Sequence, residues 1–323
     1  SLPVMLNQGY DKSLALGTVA ASGTLGILIP PSIMLVIMAD QLTLSVGDLF
    51  IGAIIPGVIL GCLYIIYILV LGFLSPNKAP LAQDTKQISF MIIFEVMRTI
   101  LPPFGLIVLV LGSIFTGIAT PTEASGVGAL GATLLVVYNK RFNFKVFKEV
   151  NRDTFKTCGY IFGIFFGAQC FALVLRMLGG DEFIERVLVG LPFGPYGIIC
   201  FILACVFLMG FFLDWIEISL IFLPLLSPVL TNIGLNLNGY GVVERPELVW
   251  FAVLVAVTLQ TSFLTPPVGF TIFFLQGVAP KGVVLLDIYK GVMPFVLLQI
   301  IGLLLVLLFP ELVLWLPAVT YGK

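Results

Sequence analysis

The chain has 323 residues, 59% of them apolar and only 10% charged, with a formal net charge of −1. Soluble domains run about 45–50% apolar and about 25% charged, so this composition argues against a water-soluble fold, and a near-zero charge gives no electrostatic grip on nucleic acid. Histidine is absent, which removes His-based acid–base catalysis, Ser-His-Asp triads and His metal sites. The five cysteines (Cys62, Cys158, Cys170, Cys200, Cys205) lie in or beside apolar runs with no CxxC pair. Neither a zinc site nor a disulfide framework is expected.

Apolar segments fall at 14–39, 49–74, 100–119, 123–138, 158–178, 195–231, 248–276 and 286–309. They are long and continuous rather than alternating with period two, so they read as membrane helices and not as barrel strands. The first is interrupted by Gly26-Ile-Leu-Ile-Pro30-Pro31-Ser32. The second is followed by a linker over 76–99 carrying Lys78, Lys86 and Arg98. Thr120-Pro121-Thr122-Glu123 reads as the start of a helix, with Thr120 at N-cap, Pro121 at N1 and Glu123 at N3. Over 141–157, Phe142, Phe144, Phe147 and Phe155 alternate with basic residues, the pattern of an amphipathic arm lying on the inner membrane surface. Arg176 closes the fifth segment, where snorkelling to the interface or contact with a substrate carboxylate are both open. The segment 195–231 is too long for one crossing and is broken at Gly210-Phe-Phe-Leu-Asp214-Trp-Ile-Glu217. Asp214 and Glu217 there read either as a helix cap or as an ion or substrate site.

Basic residues cluster at Lys78, Lys86 and Arg98, at 140–156, and at Lys281 and Lys290. The positive-inside rule places all three clusters in the cytoplasm. The N-terminal end is then cytoplasmic and the C-terminus, with the tail 311–323, periplasmic. The stretch 179–247 begins and ends outside, which a re-entrant hairpin or a full in-and-out pair at 195–231 satisfies.

A second interruption, Thr261-Ser-Phe-Leu-Thr265-Pro266-Pro267-Val-Gly269, falls within 248–276. Each Pro-Pro pair is followed by a similar tail, Asp48-Leu-Phe-Ile-Gly52 to Pro56 and Asp287-Ile-Tyr-Lys-Gly291 to Pro294. One element therefore occurs twice, and the charge map runs the copies in opposite directions. That is the inverted repeat of many secondary transporters. The first copy occupies 1–75 and the second 100–310. The second has about 150 residues before its break and the first few, so an N-terminal part of a longer protein is expected to be absent. Adjacent prolines strip backbone donors and leave carbonyls bare in hydrocarbon unless a cation or hydroxyl meets them. Hydroxyls gather at both breaks: Thr18, Ser22, Thr24 and Ser32 at the first, and Thr258, Thr261, Ser262 and Thr265 at the second.

These residues resemble the large membrane subunit, of DctM type, of tripartite ATP-independent periplasmic (TRAP) transporters. The resemblance rests on Gly9-Tyr10-Asp11-Lys12 leading to Gly23-Thr-Leu-Gly-Ile-Leu-Ile-Pro-Pro-Ser32, on Ala119-Thr-Pro-Thr-Glu-Ala124, on Phe212-Leu-Asp214, and on Thr265-Pro-Pro-Val-Gly269 running to Gly277-Val-Ala-Pro280. It implies an all-α polytopic membrane protein, an inverted-repeat, elevator-type secondary transporter with broken helices and a re-entrant hairpin, in a bacterial inner membrane. It implies Na⁺-coupled uptake of an organic acid anion, such as a C4-dicarboxylate or sialic acid. A periplasmic binding protein would deliver the substrate, and a small four-helix membrane subunit would partner the chain. Carried over, Thr24, Gly26, Pro30 and Ser32 would line a sodium and substrate region. Thr261, Thr265, Pro266 and Gly269 would form the other sodium site with Gly210 and Asp214. Arg176 is a further candidate for the substrate carboxylate. No enzymatic activity is expected. The competing expectation is a stand-alone Na⁺-coupled anion symporter of similar architecture.

Overall fold

The computed structural model describes residues 2–80, 90–235, 237, 239–266, 269–280 and 282–322. Lys86, Pro267 and Lys281 lie outside the described residues. Among the described residues all regular structure is helical, and seven stretches are long and apolar enough to cross a membrane. The protein is an all-α, multi-pass membrane protein.

The chain divides into two compact units, 1–81 with 167–323, and 82–166. The first unit opens with α1 (Leu2–Asn7), α2 (Lys12–Leu28), α3 (Ile33–Leu42) and α4 (Val46–Leu74). The second holds α5 (Phe90–Phe115), α6 (Pro121–Tyr138) and the beginning of α7 (Phe144–Met177), which runs on into the first unit. The first unit then continues through α8 (Gly180–Val189), α9 (Pro195–Met209), α10 (Trp215–Glu217), a π turn (Ile218–Phe222) and α11 (Leu223–Asn232). It closes with α12 (Pro246–Leu264), α13 (Phe270–Val278), α14 (Leu285–Leu308) and α15 (Glu311–Tyr321).

In the first unit α12 is the central pillar. Every side chain from Leu248 to Leu264 is buried, as expected of a helix apolar on all sides. It packs on α2, α4, α9 and α14, and the Trp250 indole N–H donates to the Val306 carbonyl of α14 at 2.8 Å. α14 crosses α2, and α4 touches both α12 and α15. A Cβ on Gly291 of α14 would run into the Ser13 carbonyl oxygen of α2 and stand 2.9 Å from the Gly17 nitrogen. A Cβ on Gly52 of α4 would stand 3.1 Å from Val313 of α15 and 3.6 Å from Val249 of α12. Gly52 and Gly291 occupy the same place in the Asp-x-x-x-Gly tails. Ser13 and Val249 lie the same number of residues before Pro30 and Pro266. α2 and α12 thus each meet a tail helix at an equivalent position. Small residues at such crossings let membrane helices approach to backbone contact.

In the second unit α5 and α6 are closed together by the same device. A Cβ on Gly128 of α6 would stand 3.3 Å from Val110 of α5, and one on Gly131 would strike Leu106. The start of α6 is the expected capping box. The Thr120 hydroxyl accepts from the Glu123 N–H at 3.3 Å, and Glu123 Oε2 accepts from the Thr120 N–H at 2.8 Å.

Three boundaries differ from expectation. The amphipathic arm over 141–157 is not a separate element, because α7 is one helix of 34 residues. At 1.5 Å per residue it is about 51 Å long, well beyond a hydrocarbon layer of about 30 Å. The change from mixed to apolar composition near 157 carries no Pro or cap, so nothing there ends the helix. The tail 311–323 contains α15, which packs on α4 and α12. The linker 76–99 holds the first turns of α5 from Phe90 onward.

Candidate functional site

The first break follows from covalent structure. Pro30 and Pro31 have no N–H, so the Gly26 and Ile27 carbonyls lose their helical donors. The Ser32 hydroxyl replaces one of them by donating to the Ile27 carbonyl. The same oxygen caps α3 by accepting from the Leu35 N–H at 3.4 Å. Gly26 is exposed, and open space lies where its Cβ would stand. Thr24 is buried and donates to the Ala21 carbonyl at 3.0 Å. Thr18 Oγ1 is buried with no hydrogen-bond partner among the described residues.

The second break interrupts α12 and α13 in the same way. Pro266 cannot donate to the Ser262 carbonyl, and the Thr265 N–H takes that oxygen instead at 3.1 Å. The Gly269 N–H donates to the Thr265 carbonyl at 3.2 Å. A Cβ on Gly269 would run into the Phe263 carbonyl oxygen and stand 3.1 Å from that of Thr265. Only hydrogen fits there, and two carbonyl oxygens gather at one point. The hydroxyls of Thr258, Thr261, Ser262 and Thr265 donate back along α12, to Leu254, Val257, Leu259 and Thr261, at 2.7 to 2.8 Å. A back-bonded hydroxyl commits its proton to the helix and keeps lone pairs free to face a cation.

The turn after α9 reaches this second break. Gly210, directly after α9, lies so close to Ser262 that a Cβ would strike the Ser262 hydroxyl and stand 2.8 Å from its Cβ. Asp214 caps α10, its Oδ1 accepting from the Trp215 N–H at 2.8 Å. Glu217 makes no capping box. Its Oε2 and the Ser219 hydroxyl are buried without hydrogen-bond partners among the described residues. Beyond them Pro224 lacks the N–H that would bond to Leu220, and the helix passes through the π turn Ile218–Phe222, a form concentrated at functional sites. That turn packs on α3. The stretch from α9 to α11 therefore touches both broken helices. Arg176 is not drawn in: half exposed at the end of α7, it pairs with Asp181 at 3.2 Å across a turn made by Gly179 at φ +74°.

One cluster was passed over in the sequence. Tyr64 of α4, Gln260 of α12 and Gln299 of α14 are buried, with the phenol in interaction range of both amides. None of their polar side-chain atoms makes a well-formed hydrogen bond among the described residues. Gln260 and Gln299 are single amides inside apolar runs, a visible signal in membrane segments. Among the described residues no three of His, Cys, Asp and Glu converge as metal ligands. The oxygens collected at the breaks are carbonyls and hydroxyls, which suit a hard monovalent cation.

Residues 1–312 match the family model described as tripartite ATP-independent periplasmic transporter, DctM component. This chain belongs to the DctM family. It is a transport subunit, not an enzyme. A putative TRAP transporter large permease protein of Haemophilus influenzae is 26% identical over 97% of this chain and 74% of its own length. A C4-dicarboxylate TRAP transporter large permease of Pseudomonas aeruginosa is 27% identical over 97% and 69%. A sialic acid TRAP transporter large permease of Vibrio cholerae is 28% identical over 98% and 70%. Membership places the DctM chain in a multi-pass inner-membrane assembly with further subunits.

Proposed function

We propose that this DctM chain carries an organic acid anion across the inner membrane, coupled to Na⁺. The observation that bears most weight is the meeting of Gly210 with Ser262 beside the Phe263 and Thr265 carbonyls gathered at Gly269. Na⁺ as a co-transported ion is met there by Thr261, Thr265, Pro266 and Gly269 of the break, with Gly210 and Asp214 of the turn after α9. Thr24, Gly26, Pro30 and Ser32 line a second region for ion and substrate. Carbonyls left bare by the prolines carry partial negative charge at depth, which is costly in hydrocarbon until a cation meets it. With the cation in place the cavity is neutral enough to take a carboxylate, whose own desolvation would otherwise oppose entry. Loading of the two species is thereby linked, and the neutral, filled unit is the one able to move.

The equivalent crossings of α2 with α14 and of α12 with α4 support an inverted repeat, and the α9 arm, about 22 Å long at 15 residues, supports a re-entrant hairpin. We assign movement by an elevator step to the unit carrying the breaks. The relatives' names include C4-dicarboxylate and sialic acid, which supports a carboxylate as the substrate class. A periplasmic binding protein delivers it, and a small membrane subunit is the second partner. The N-terminal end of the chain is cytoplasmic and the C-terminus periplasmic, as the basic clusters require. Arg176, already paired with Asp181, is left outside the substrate contacts.

The test is uptake by the full-length permease reconstituted with its small subunit and binding protein, over a panel of labelled organic acids. Uptake of at least one carboxylate is expected with an inward Na⁺ gradient and not with a matched K⁺ gradient. Equal uptake under both gradients would overturn Na⁺ coupling.

A further inference from the structure

The Gly9-Tyr10-Asp11-Lys12 stretch takes no part in the transport site, and its contacts lie elsewhere. The Asp11 N–H donates to the Lys78 carbonyl at 2.9 Å, and Asp11 Oδ1 caps α2 by accepting from the Leu14 N–H at 3.0 Å. These bonds tie the start of α2 to the turn that follows α4, beside the first turns of α14. All three lie at one end of the membrane-spanning helices. Between them is a cavity of about 400 Å³ whose polar lining is Asp11, Ser13, Tyr67, Lys78 and Lys290. Leu14 and Leu71 also line it.

The charges in this cavity are unbalanced. Lys78 and Lys290 outnumber the single carboxylate, and one oxygen of that carboxylate is committed to the helix cap. The ion pairs among the described residues are Arg152–Asp153 and Arg176–Asp181, so neither lysine is neutralised by one. Ser13 and Tyr67 add two hydroxyl donors. Four donors with a net charge of +1, at the ends of helices long enough to cross a membrane, match the phosphodiester of a lipid headgroup. Basic pockets between membrane helices are known to take anionic lipid headgroups.

We propose that this cavity binds the headgroup of an anionic phospholipid, with the phosphate held between Lys78 and Lys290. A lipid seated there bridges the turn after α4 and the start of α14, beside the crossing of α2 and α14 at Gly17 and Gly291. The cavity's place between the ends of spanning helices favours a lipid headgroup over free phosphate.

The test is native mass spectrometry of the delipidated full-length permease, titrated with phosphatidylglycerol, phosphatidylethanolamine or inorganic phosphate. Each lysine facing an anionic headgroup is worth about a fivefold change in affinity, so Lys78→Gln with Lys290→Gln is expected to weaken phosphatidylglycerol binding about 25-fold. Lys78→Arg with Lys290→Arg should retain most of it, which separates loss of the site from loss of the fold. Lys145→Gln with Lys148→Gln, on α7, should leave it unchanged. Three results would each overturn the proposal: the double glutamine variant binds phosphatidylglycerol like the wild type, phosphatidylethanolamine binds equally well, or inorganic phosphate displaces the lipid at equal concentration. An equal loss in the α7 variant would show general surface attraction and overturn it too.

Discussion

Gly210→Ala tests the contact between the turn after α9 and the second break. The backbone of Gly210 is helical, at φ −64°, so alanine brings no conformational penalty of its own. Its Cβ would strike the Ser262 hydroxyl and stand 2.8 Å from the Ser262 Cβ, with the Val206 carbonyl at 3.4 Å. Ordinary carbon–carbon contact begins about 3.5 Å, so the turn must retreat from α12 by roughly 0.7 Å. Forced overpacking of this kind costs about 1–3 kcal/mol. If that cost falls on the ion-loaded arrangement, apparent Na⁺ affinity drops about 5- to 150-fold. The assay is the Na⁺ dependence of substrate uptake in proteoliposomes, with thermal stability measured in Na⁺ and in K⁺. Ser262→Gly in the same chain removes the opposing Cβ and hydroxyl and should restore much of the affinity. Gly23→Ala, with nothing within 4 Å of its Cβ, should change neither property. The reasoning is refuted if Gly210→Ala keeps wild-type Na⁺ affinity while the protein remains folded.

Other consequences follow from the same packing. Gln260→Leu alone, which removes one of the two amides in range of the buried Tyr64 hydroxyl, should cost about 1–3 kcal/mol in thermal unfolding; Tyr64→Phe, Gln260→Leu and Gln299→Leu together should cost less than that single change. A triple variant weaker than the single one would contradict this. Arg176→Ala removes a half-exposed ion pair with Asp181, so stability should fall by less than about 1 kcal/mol and the substrate KM should stay put; a tenfold rise in KM would make Arg176 a substrate contact. Thr120→Ala breaks the capping box of α6 and should cost about 1 kcal/mol of thermal stability with Na⁺ dependence unaltered. A changed Na⁺ dependence would give that tetrapeptide a role beyond starting a helix.

Both breaks were legible in the sequence because the Pro-Pro pairs remove backbone donors whatever surrounds them. The helix start at Thr120 was legible for a similar reason, since its hydrogen bonds form within one turn. Spacing of Asp48, Gly52, Asp287 and Gly291 does not reveal that Gly291 meets the α2 backbone while Gly52 packs on α15 and α12. What escaped the sequence depends on neighbours far along the chain. The closeness of Gly210 to Ser262, and the burial of Tyr64 with Gln260 and Gln299, arise from helices brought together by packing. Arg176's ion pair with Asp181, supplied by α8, was likewise invisible in the sequence. The continuity of α7 escaped because composition marks where a helix enters the lipid and not where it ends.

The most direct measurement of the central claim is equilibrium binding of radiolabelled Na⁺ to the purified full-length permease, wild type against Thr265→Val and Gly269→Ala. Thr265→Val deletes a hydroxyl oxygen at the second break, and Gly269→Ala places a methyl against the Phe263 and Thr265 carbonyls. The account predicts saturable binding to the wild type and loss of about one site's worth of Na⁺ in either variant. Undiminished binding in both variants, or no saturable binding to the wild type, would contradict it.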